Sequence, residues 1–315
     1  PDIIFFWVAR MIMSGYSFMG DLPFKDVYFT SILRDETGKK FSKSLGNSPD
    51  PFTLFDEYGT DAVRFGIMLM APQGLDVLFS SKGLEVGRNF INKLWNASRF
   101  VLMNIEDDIS DELLENNLKL PELWILNRLQ IAIERVNKHL DSFNFNEAAK
   151  AIYEFTWSDF CDWYIEMAKT SFNEKNESYS KRVKVVSKYV LRNILILLHP
   201  YAPFVTEEIW LKNKFDNSNK DFLMLANWPS GTPKKDQNCK EVEKMINIIS
   251  EIRSFKNELS VSPGSFIDIS ISKINKKNQL FLNDNEIILK KIGRINNFYS
   301  KDIDKSSAVL VVSGD

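Results

Sequence analysis

The sequence predicts an α/β segment, then an all-α bundle, then a small α/β appendage. Three observations predict it. Over residues 3–33 an apolar helical run is followed by a β-branched and aromatic run, which reads as half of a βαβ layer. From Ser80 to about Lys214, apolar residues recur at helical spacing through several long stretches. Near the C-terminus, Ser265–Ser272 alternates apolar with polar residues, as a half-exposed strand does. We expect domains at 1–79, 80–237 and 238–315, within the roughly 100–200 residues usual per domain for a chain of 315.

Each element has a local reason. Residues 3–14, IIFFWVARMIMS, carry one charge, Arg10, so a largely buried helix is expected, with Asp2 placed to cap it. Val27–Leu33 is bounded by charge and rich in strand formers, so it reads as a buried strand. Residues 34–50, RDETGKKFSKSLGNSPD, form a long polar loop. Two short helices, about 52–58 and 60–70, follow and are separated by Gly59; Thr60 or Asp61 can cap the second. Ser80-Ser81 opens a long helix in which Phe90, Leu94, Ala97 and Val101 recur at three to four residues. After an acidic linker at Asp107–Asn117, helices are expected at about 121–141, 146–172, 179–198, from Pro203, and at 239–259. Short connections between long helices favour an antiparallel bundle. In the appendage, Ser265–Ser272 and Ala308–Val312 read as strands, with a helix or a strand between them at 278–291.

Composition excludes several classes. Hydrophobic residues make up 44% and charged residues 26%, which is globular and neither disordered nor collagen-like. Lys and Arg number 40 against 42 Asp and Glu, so no global basic excess advertises nucleic acid, although a local patch can still bind it. Cys161 and Cys239 cannot build a disulfide framework or a four-thiolate zinc site, and a cytoplasmic setting is expected. Cys161, among aromatic residues, reads as a core thiol; His139 and His199 read as structural. No apolar stretch is long enough to span a bilayer. There is no signal-peptide pattern and no Walker A, G-x-G-x-x-G or H-E-x-x-H motif. The chain starts at Pro-Asp and is expected to be a piece of something larger.

The segment that calls for chemistry is Gly38-Lys39-Lys40-Phe41-Ser42-Lys43-Ser44-Leu45-Gly46-Asn47. Two mobile ammonium groups, two hydroxyls and flanking glycines can wrap a polyphosphate and follow its charge as it moves. A solvated basic turn has the same composition.

The surrounding residues decide between these. Lys40–Asn47 resembles the KMSKS signature of the class I aminoacyl-tRNA synthetases, with Phe41 in the place of Met. The Arg-Asp-Glu-x-Gly turn before it and Asp50-Pro51 and Tyr58–Phe65 after it match as well. The opening Asp2–Ile12 is similar to the valine-specific branch of that family, as are Gly87–Ala97, Trp157–Tyr164 and His199–Trp210. The likeness is dense to residue 230 and weak after 260.

The resemblance implies the second half of a Rossmann-like catalytic domain, an antiparallel anticodon-binding bundle and a small α/β appendage cut before a coiled-coil arm. It also implies activation of valine with ATP and Mg2+ and transfer to tRNA(Val). Lys40, Phe41, Ser42, Lys43 and Ser44 would bind ATP, with Lys43 and Lys40 catalytic. Asp2, Ile3 and Trp7 would line the valine pocket; Ile3 and Trp7, four apart, share one helix face. Arg88, Asn89, Lys93 and Arg99 are candidate tRNA contacts, with Trp95 beside them and a basic run at Lys181, Arg182, Lys184 and Lys188. No protein metal site, membrane or DNA partner is implied, and a monomer is expected.

The departures are specific. No His-x-Gly-His occurs, and Thr30-Ser31 stands where many relatives have His-Gly. The family's editing domain has no counterpart in these residues. Alone, the chain is therefore expected to lack full catalytic capacity. An isoleucine- or leucine-specific relative and a non-catalytic tRNA-binding module are the alternatives; the first fits the DIIFFWVARM opening poorly, and the second leaves the Lys40–Ser44 loop unexplained.

Overall fold

An apolar run needs a partner before it can be buried, and the first helix shows this directly. In the computed structural model, which describes residues 3–105, 118–172, 176–213, 215, 222–231, 239–271 and 274–299, the opening run is one rod. It comprises π-helical Ile4–Val8, α1 (Ala9–Ser14) and π-helical Gly15–Met19. The rod is longer than expected and is not buried: none of its residues is in the core, and Phe5 and Phe18 are each 83% exposed. Helical periodicity was legible, but burial depends on what packs against the apolar face. Asp2, the expected cap, lies outside the described residues.

The expected buried strand at Val27–Leu33 is also corrected. Only β1 (Leu33–Arg34) pairs, in parallel with β2 (Val77–Leu78). Val27 and Tyr28 are exposed, and residues 25–32 are irregular. A strand is stabilised by its neighbour's ladder, and β2 offers two residues. Tyr28 packs instead edge-on against Phe145, with ring centroids 5.1 Å apart, and near Phe143 at 6.4 Å.

The two short helices form as expected. α2 (Pro51–Tyr58) starts with Pro at its first position, and the Asp50 carboxylate accepts from the Phe52 N–H at 3.3 Å and the Thr53 hydroxyl at 3.2 Å. α3 (Thr60–Met70) begins at Gly59, whose φ of 90° few other residues adopt; neither Thr60 nor Asp61 is the cap. Asp61 is buried in the first turn instead, where a carboxylate faces the positive helix end. α4 (Ser81–Met103) crosses α3 closely: a Cβ at Gly66 would meet the Gly83 carbonyl oxygen at 2.7 Å. One at Gly87 would meet the Ala62 carbonyl oxygen at 2.2 Å.

Long helices follow: α5 (Leu120–Asp141), α6 (Phe145–Glu154), a π-helix (Phe155–Tyr164), α7 (Ile165–Ala168), α8 (Glu177–Leu198), α9 (Pro203–Asn213) and α10 (Lys240–Glu258). Asn176 caps α8 through the Tyr179 N–H. The bundle core is built from Trp124, Leu129, Ile133, Phe160, Tyr164, Leu191 and Ile194, all with almost no exposure. Of the predicted apolar repeat on α4, Phe90, Leu94 and Val101 are fully buried, while Ala97 is only half-buried beside the buried Ser98. The expected linker at Asp107–Asn117 lies outside the described residues.

In the appendage, β3 (Ile267–Ser270) alternates in burial as its sequence does. The region expected as helix or strand is two helices, α11 (Lys276–Asp284) and α12 (Glu286–Gly293). β4 (Ile295–Tyr299), not expected from sequence, pairs in parallel with β3 through a register shift. The expected strand at 308–312 lies outside the described residues. Two compact units result. One holds the residues up to Arg88 together with Asn137–Lys150; the other holds Asn89–Val136 together with the residues from Ala151 on.

Candidate functional site

The Lys/Ser/Gly loop hangs on a small polar frame. After β1 the chain turns at Asp35, whose Oδ1 accepts from the Thr37 N–H at 3.0 Å, the Thr37 hydroxyl at 2.7 Å and the Lys39 N–H at 2.9 Å. Lys40 then returns to bridge Arg34 antiparallel, and the Phe41 N–H donates to the Leu33 carbonyl at 3.3 Å. Asn47 ties the far end of the loop to its start. Its amide donates to Asp35 Oδ2 at 2.9 Å and to the Lys40 carbonyl at 3.3 Å, and its Oδ1 accepts from the Ser42 N–H at 2.9 Å. These bonds, the Thr37 hydroxyl first and Asn47 next, hold the Asp35 carboxyl at about 2.

Arg34 braces the same turn. Its Nε donates to Asp76 at 2.5 Å and its Nη1 to the Gly38 carbonyl at 3.2 Å. The Arg34 hydrogen bond keeps the Asp76 carboxyl below the usual range. Gly38 and Gly46, with φ of 83° and 65°, make the left-handed bends at either end. Phe41 packs edge-on against Phe79, centroids 5.7 Å apart, so an aromatic anchors the loop at the position where the signature has Met.

The acidic and amide groups of this frame are thus occupied by backbone and by each other. Lys40, Lys43 and Ser44 stand exposed, and Ser42 is half-exposed with its hydroxyl 2.7 Å from that of Ser44. Among the described residues neither Lys40 nor Lys43 makes an ion pair. Two cations and two hydroxyls face solvent on a braced loop, an arrangement able to take up an anionic polyphosphate.

The other predicted site residues are placed as follows. Ile3 and Trp7 lie one helical turn apart, the Trp7 N–H donating to the Ile3 carbonyl at 2.9 Å, and both are about half exposed (51% and 57%). They share a face but no cavity closes over it within the unit. Asp2 lies outside the described residues. Ser31 donates to the Pro72 carbonyl at 3.2 Å, and Thr30 is exposed.

On α4, Arg88 sits over the Tyr58 ring at 5.5 Å, and Asn89 and Arg99 are exposed. Lys93 is engaged, 2.5 Å from Asp162 and 3.6 Å from the Trp157 ring centroid, so it ties α4 to the π-helix. Trp95 is half-buried with Lys212 over its ring at 5.6 Å, while Trp210 is fully buried. Of the basic run, Lys181 is exposed and Arg182, Lys184 and Lys188 are half-exposed, a solvated helix face.

Cys161 is a core thiol, pushed up to about 12 by burial. His199 joins α8 to α9 structurally, its Nδ1 2.8 Å from the Thr206 hydroxyl. Among the described residues no group of three His, Cys, Asp or Glu gathers to hold a metal. No described helix is long and apolar enough to cross a membrane.

Asp35 and Asn47 were not singled out as site residues, yet they position the loop. The signal was available: Asp-x-Thr-Gly is an Asx-turn pattern. Asn47 gave no local signal, because its role is a return contact from the loop's far end.

Two family models match. Residues 1–80 match tRNA synthetases class I (I, L, M and V), and residues 122–271 match the anticodon-binding domain of tRNA ligase. The chain is 54% identical over its whole length to a valine–tRNA ligase of Pelagibacter ubique and 38% identical to one of Geobacter sulfurreducens, covering 36% of each. It is 43% identical over 93% of its length to a valine–tRNA ligase of Fusobacterium nucleatum, covering 34% of it. The chain thus spans about a third of the length of these relatives. Among solved structures it resembles Mycobacterium tuberculosis methionyl-tRNA synthetase in complex with methionyl-adenylate, with a TM-score of 0.56, 21% identity, and 75% of this chain and 48% of that one covered. It also resembles Agrobacterium radiobacter K84 agnB2 LeuRS in its ternary complex with tRNA and LeuAMS, with a TM-score of 0.53, 22% identity, and 71% and 26% covered. These two likenesses establish a mostly helical class I synthetase-like fold.

Proposed function

This chain belongs to the class I tRNA synthetase family, and from that premise we propose that it serves the ATP-dependent activation of valine and its ligation to tRNA(Val). In this reading residues 1–79 are the second half of a Rossmann-like catalytic domain. Residues 80–237 are the anticodon-binding bundle, and 238–315 the appendage. The observation that supports it most is the braced Lys40–Ser44 loop, whose two ammonium groups point to solvent while its frame is internally satisfied.

The chemistry follows from that placement. The valine carboxylate attacks the α-phosphorus of ATP; a carboxylate–phosphorus bond forms, the bond to the β-phosphate oxygen breaks, and pyrophosphate leaves. Negative charge builds on the pentavalent centre and the departing group. Lys43 stabilises it, with Lys40 in support, and Ser42 and Ser44 donate to phosphate oxygens. Mg2+ enters as the counter-ion of the nucleotide's phosphates. Then the terminal ribose hydroxyl of the tRNA attacks the aminoacyl carbonyl and AMP leaves. Ile3, Trp7 and Asp2 contribute to the valine site, where a bulky aliphatic and an indole leave room for a small apolar side chain. Arg88, Asn89 and Arg99 are the candidate tRNA contacts on α4; Lys93 is a structural tie first.

The test is Lys43→Ala in a full-length valine–tRNA ligase carrying these residues. Valine-dependent ATP–pyrophosphate exchange should fall by about 100- to 1000-fold, the usual cost of losing one transition-state donor, with tRNA binding nearly unchanged. Unchanged exchange would overturn the assignment. Binding of this chain to valine, isoleucine and leucine tRNA transcripts at two salt concentrations tests the RNA half, because phosphate contacts dominate the nonspecific part.

A further inference from the structure

Away from the Lys40–Ser44 loop, a cavity of about 340 Å³ opens where α10 meets the β3–β4 appendage. Arg253, Lys256, Asn257, Gly264, Ile292 and Arg294 are among the residues that line it. Three of these are cations and none of the lining residues is acidic. Among the described residues, none of the three forms an ion pair.

Each cation is instead held by a backbone carbonyl. Arg253 Nη2 donates to Ile292 O at 3.3 Å, Lys256 Nζ to Ser265 O at 2.5 Å, and Arg294 Nη1 to Gly264 O at 3.2 Å. Such bonds orient the head groups without neutralising them. Each head group spends one of its donors this way, and a guanidinium has five and an ammonium three. The rings of Trp163 and Phe266 lie 5.1 Å and 5.9 Å from the Arg253 and Arg294 guanidinium carbons, which fixes those planes further. Lys256 is buried, and its ammonium is depressed first by that burial and then by the charges of Arg294 and Arg253. The three groups therefore feel one another's charge.

Arg294 adds an independent observation. It ends α12 in the left-handed region, at φ 53°, where glycine or asparagine is the easier residue. A long cation kept in a costly conformation, beside two others, calls for a compensating anion.

We infer that this cavity takes one phosphodiester of a bound RNA backbone, clamped between the Arg253 and Arg294 guanidinium groups. The inference rests on the tRNA reading above. Arginine forks match phosphate oxygens bidentately. Such a contact would position RNA without reading its sequence. RNA is favoured over a free anion because Arg253, Lys256 and Gly264 lie within the 122–271 segment that matches the anticodon-binding domain of tRNA ligase.

The test compares Arg253→Gln and Arg294→Asn with the unaltered chain, each first checked for helicity and melting. Arg253 sits exposed on α10, and Asn tolerates the left-handed backbone at 294, so both should fold. Binding of a valine tRNA transcript and of an unrelated RNA hairpin is measured against salt. The expected result is that each variant flattens the slope of log K against log salt by about 0.7–0.9, the loss of one phosphate, equally for both RNAs. Arg253→Lys should restore the slope while keeping a lower affinity. Slopes unchanged in both variants would overturn the cavity proposal and leave the tRNA reading intact, provided the unaltered chain still prefers the valine transcript. Inorganic phosphate shifting the Arg253 and Arg294 Nε–H NMR signals, with RNA leaving them unmoved, would overturn it in favour of a free anion. Failure of the unaltered chain to bind any RNA would overturn both readings.

Discussion

The opening rod at Ile4–Met19 and the bundle of α5–α8 are comparably apolar, yet their fates are opposite. In the bundle, Trp124, Leu129, Tyr164 and Leu191 are sealed from solvent. In the rod, Phe5, Phe6, Met13, Phe18 and Met19 all stand more than half exposed. Hydrophobicity sets a demand for burial, and only a facing element meets it. The bundle is self-sufficient because its helices face one another within this sequence; the rod carries an unmet demand. An exposed apolar stripe of this size on a monomer marks a surface made for contact.

The largest predicted effect sharpens that contrast. Leu129→Ala should cost about 2–5 kcal/mol of unfolding free energy in chemical denaturation, through lost burial and the cavity left behind. Phe18→Ala on the rod should change it by less than about 0.5 kcal/mol. Equal losses would show that the rod is buried in solution.

A second prediction uses charge inside the bundle. Glu122 is buried, with Tyr179 donating to its Oε2 at 3.0 Å, and its carboxyl is raised to about 7 by desolvation. Its folded pKa lies above the unfolded value, so between roughly pH 4.5 and 7 the folded state holds a proton that the unfolded state releases. Stability from this group is therefore present at low pH and declines as pH rises through that window, by about 3 kcal/mol at most. Glu122→Gln should flatten the pH profile of unfolding from pH 5 to 8. An unchanged profile would remove Glu122 as its cause.

The catalytic loop comes next. Asn47→Ala unties the Asp35–Lys40–Ser42 frame without touching either catalytic lysine. In a full-length ligase the exchange rate should drop by about 10- to 100-fold, less than for Lys43→Ala, because only positioning is lost. A drop as large as that of Lys43→Ala would mean Asn47 does more than brace. The smallest effect concerns the surface. Breaking the exposed Arg135–Glu154 pair at 2.9 Å with Glu154→Gln should move the melting free energy by about 0–1 kcal/mol.

Legibility in the sequence tracked how local the cause was. The helices from Ser81 to Leu198, and the break at Gly59, were readable because periodicity and capping act within a turn or two. The Lys40–Asn47 loop was readable from its own residues and from its family resemblance. What escaped was set by distant partners. Val27–Leu33 has strand chemistry but finds only Val77–Leu78 to pair with, and Tyr28 turns to Phe143 and Phe145, more than a hundred residues away. β4 was missed because Asn296 and Asn297 interrupt any apolar alternation, so its pairing with β3 rests on backbone rather than pattern. The cation cavity was equally invisible, since Arg253 and Arg294 are brought together only by the fold of the appendage.

The ten-residue π-helix at Phe155–Tyr164 joins α6 and α7 into one rod with a widened, underwound middle. Its consequence is one of phase. Each residue of an α-helix turns the rod by about 100°, so removing a single residue from the widened stretch would relax it toward ordinary α geometry and yet rotate everything beyond it. Ile165, Met167 and Ala168 would swing out of the core, and Lys93 would lose Asp162. The stretch is a counter that has to read the same number for both ends of the rod to face inward, and length here is more tightly constrained than the identity of its surface residues.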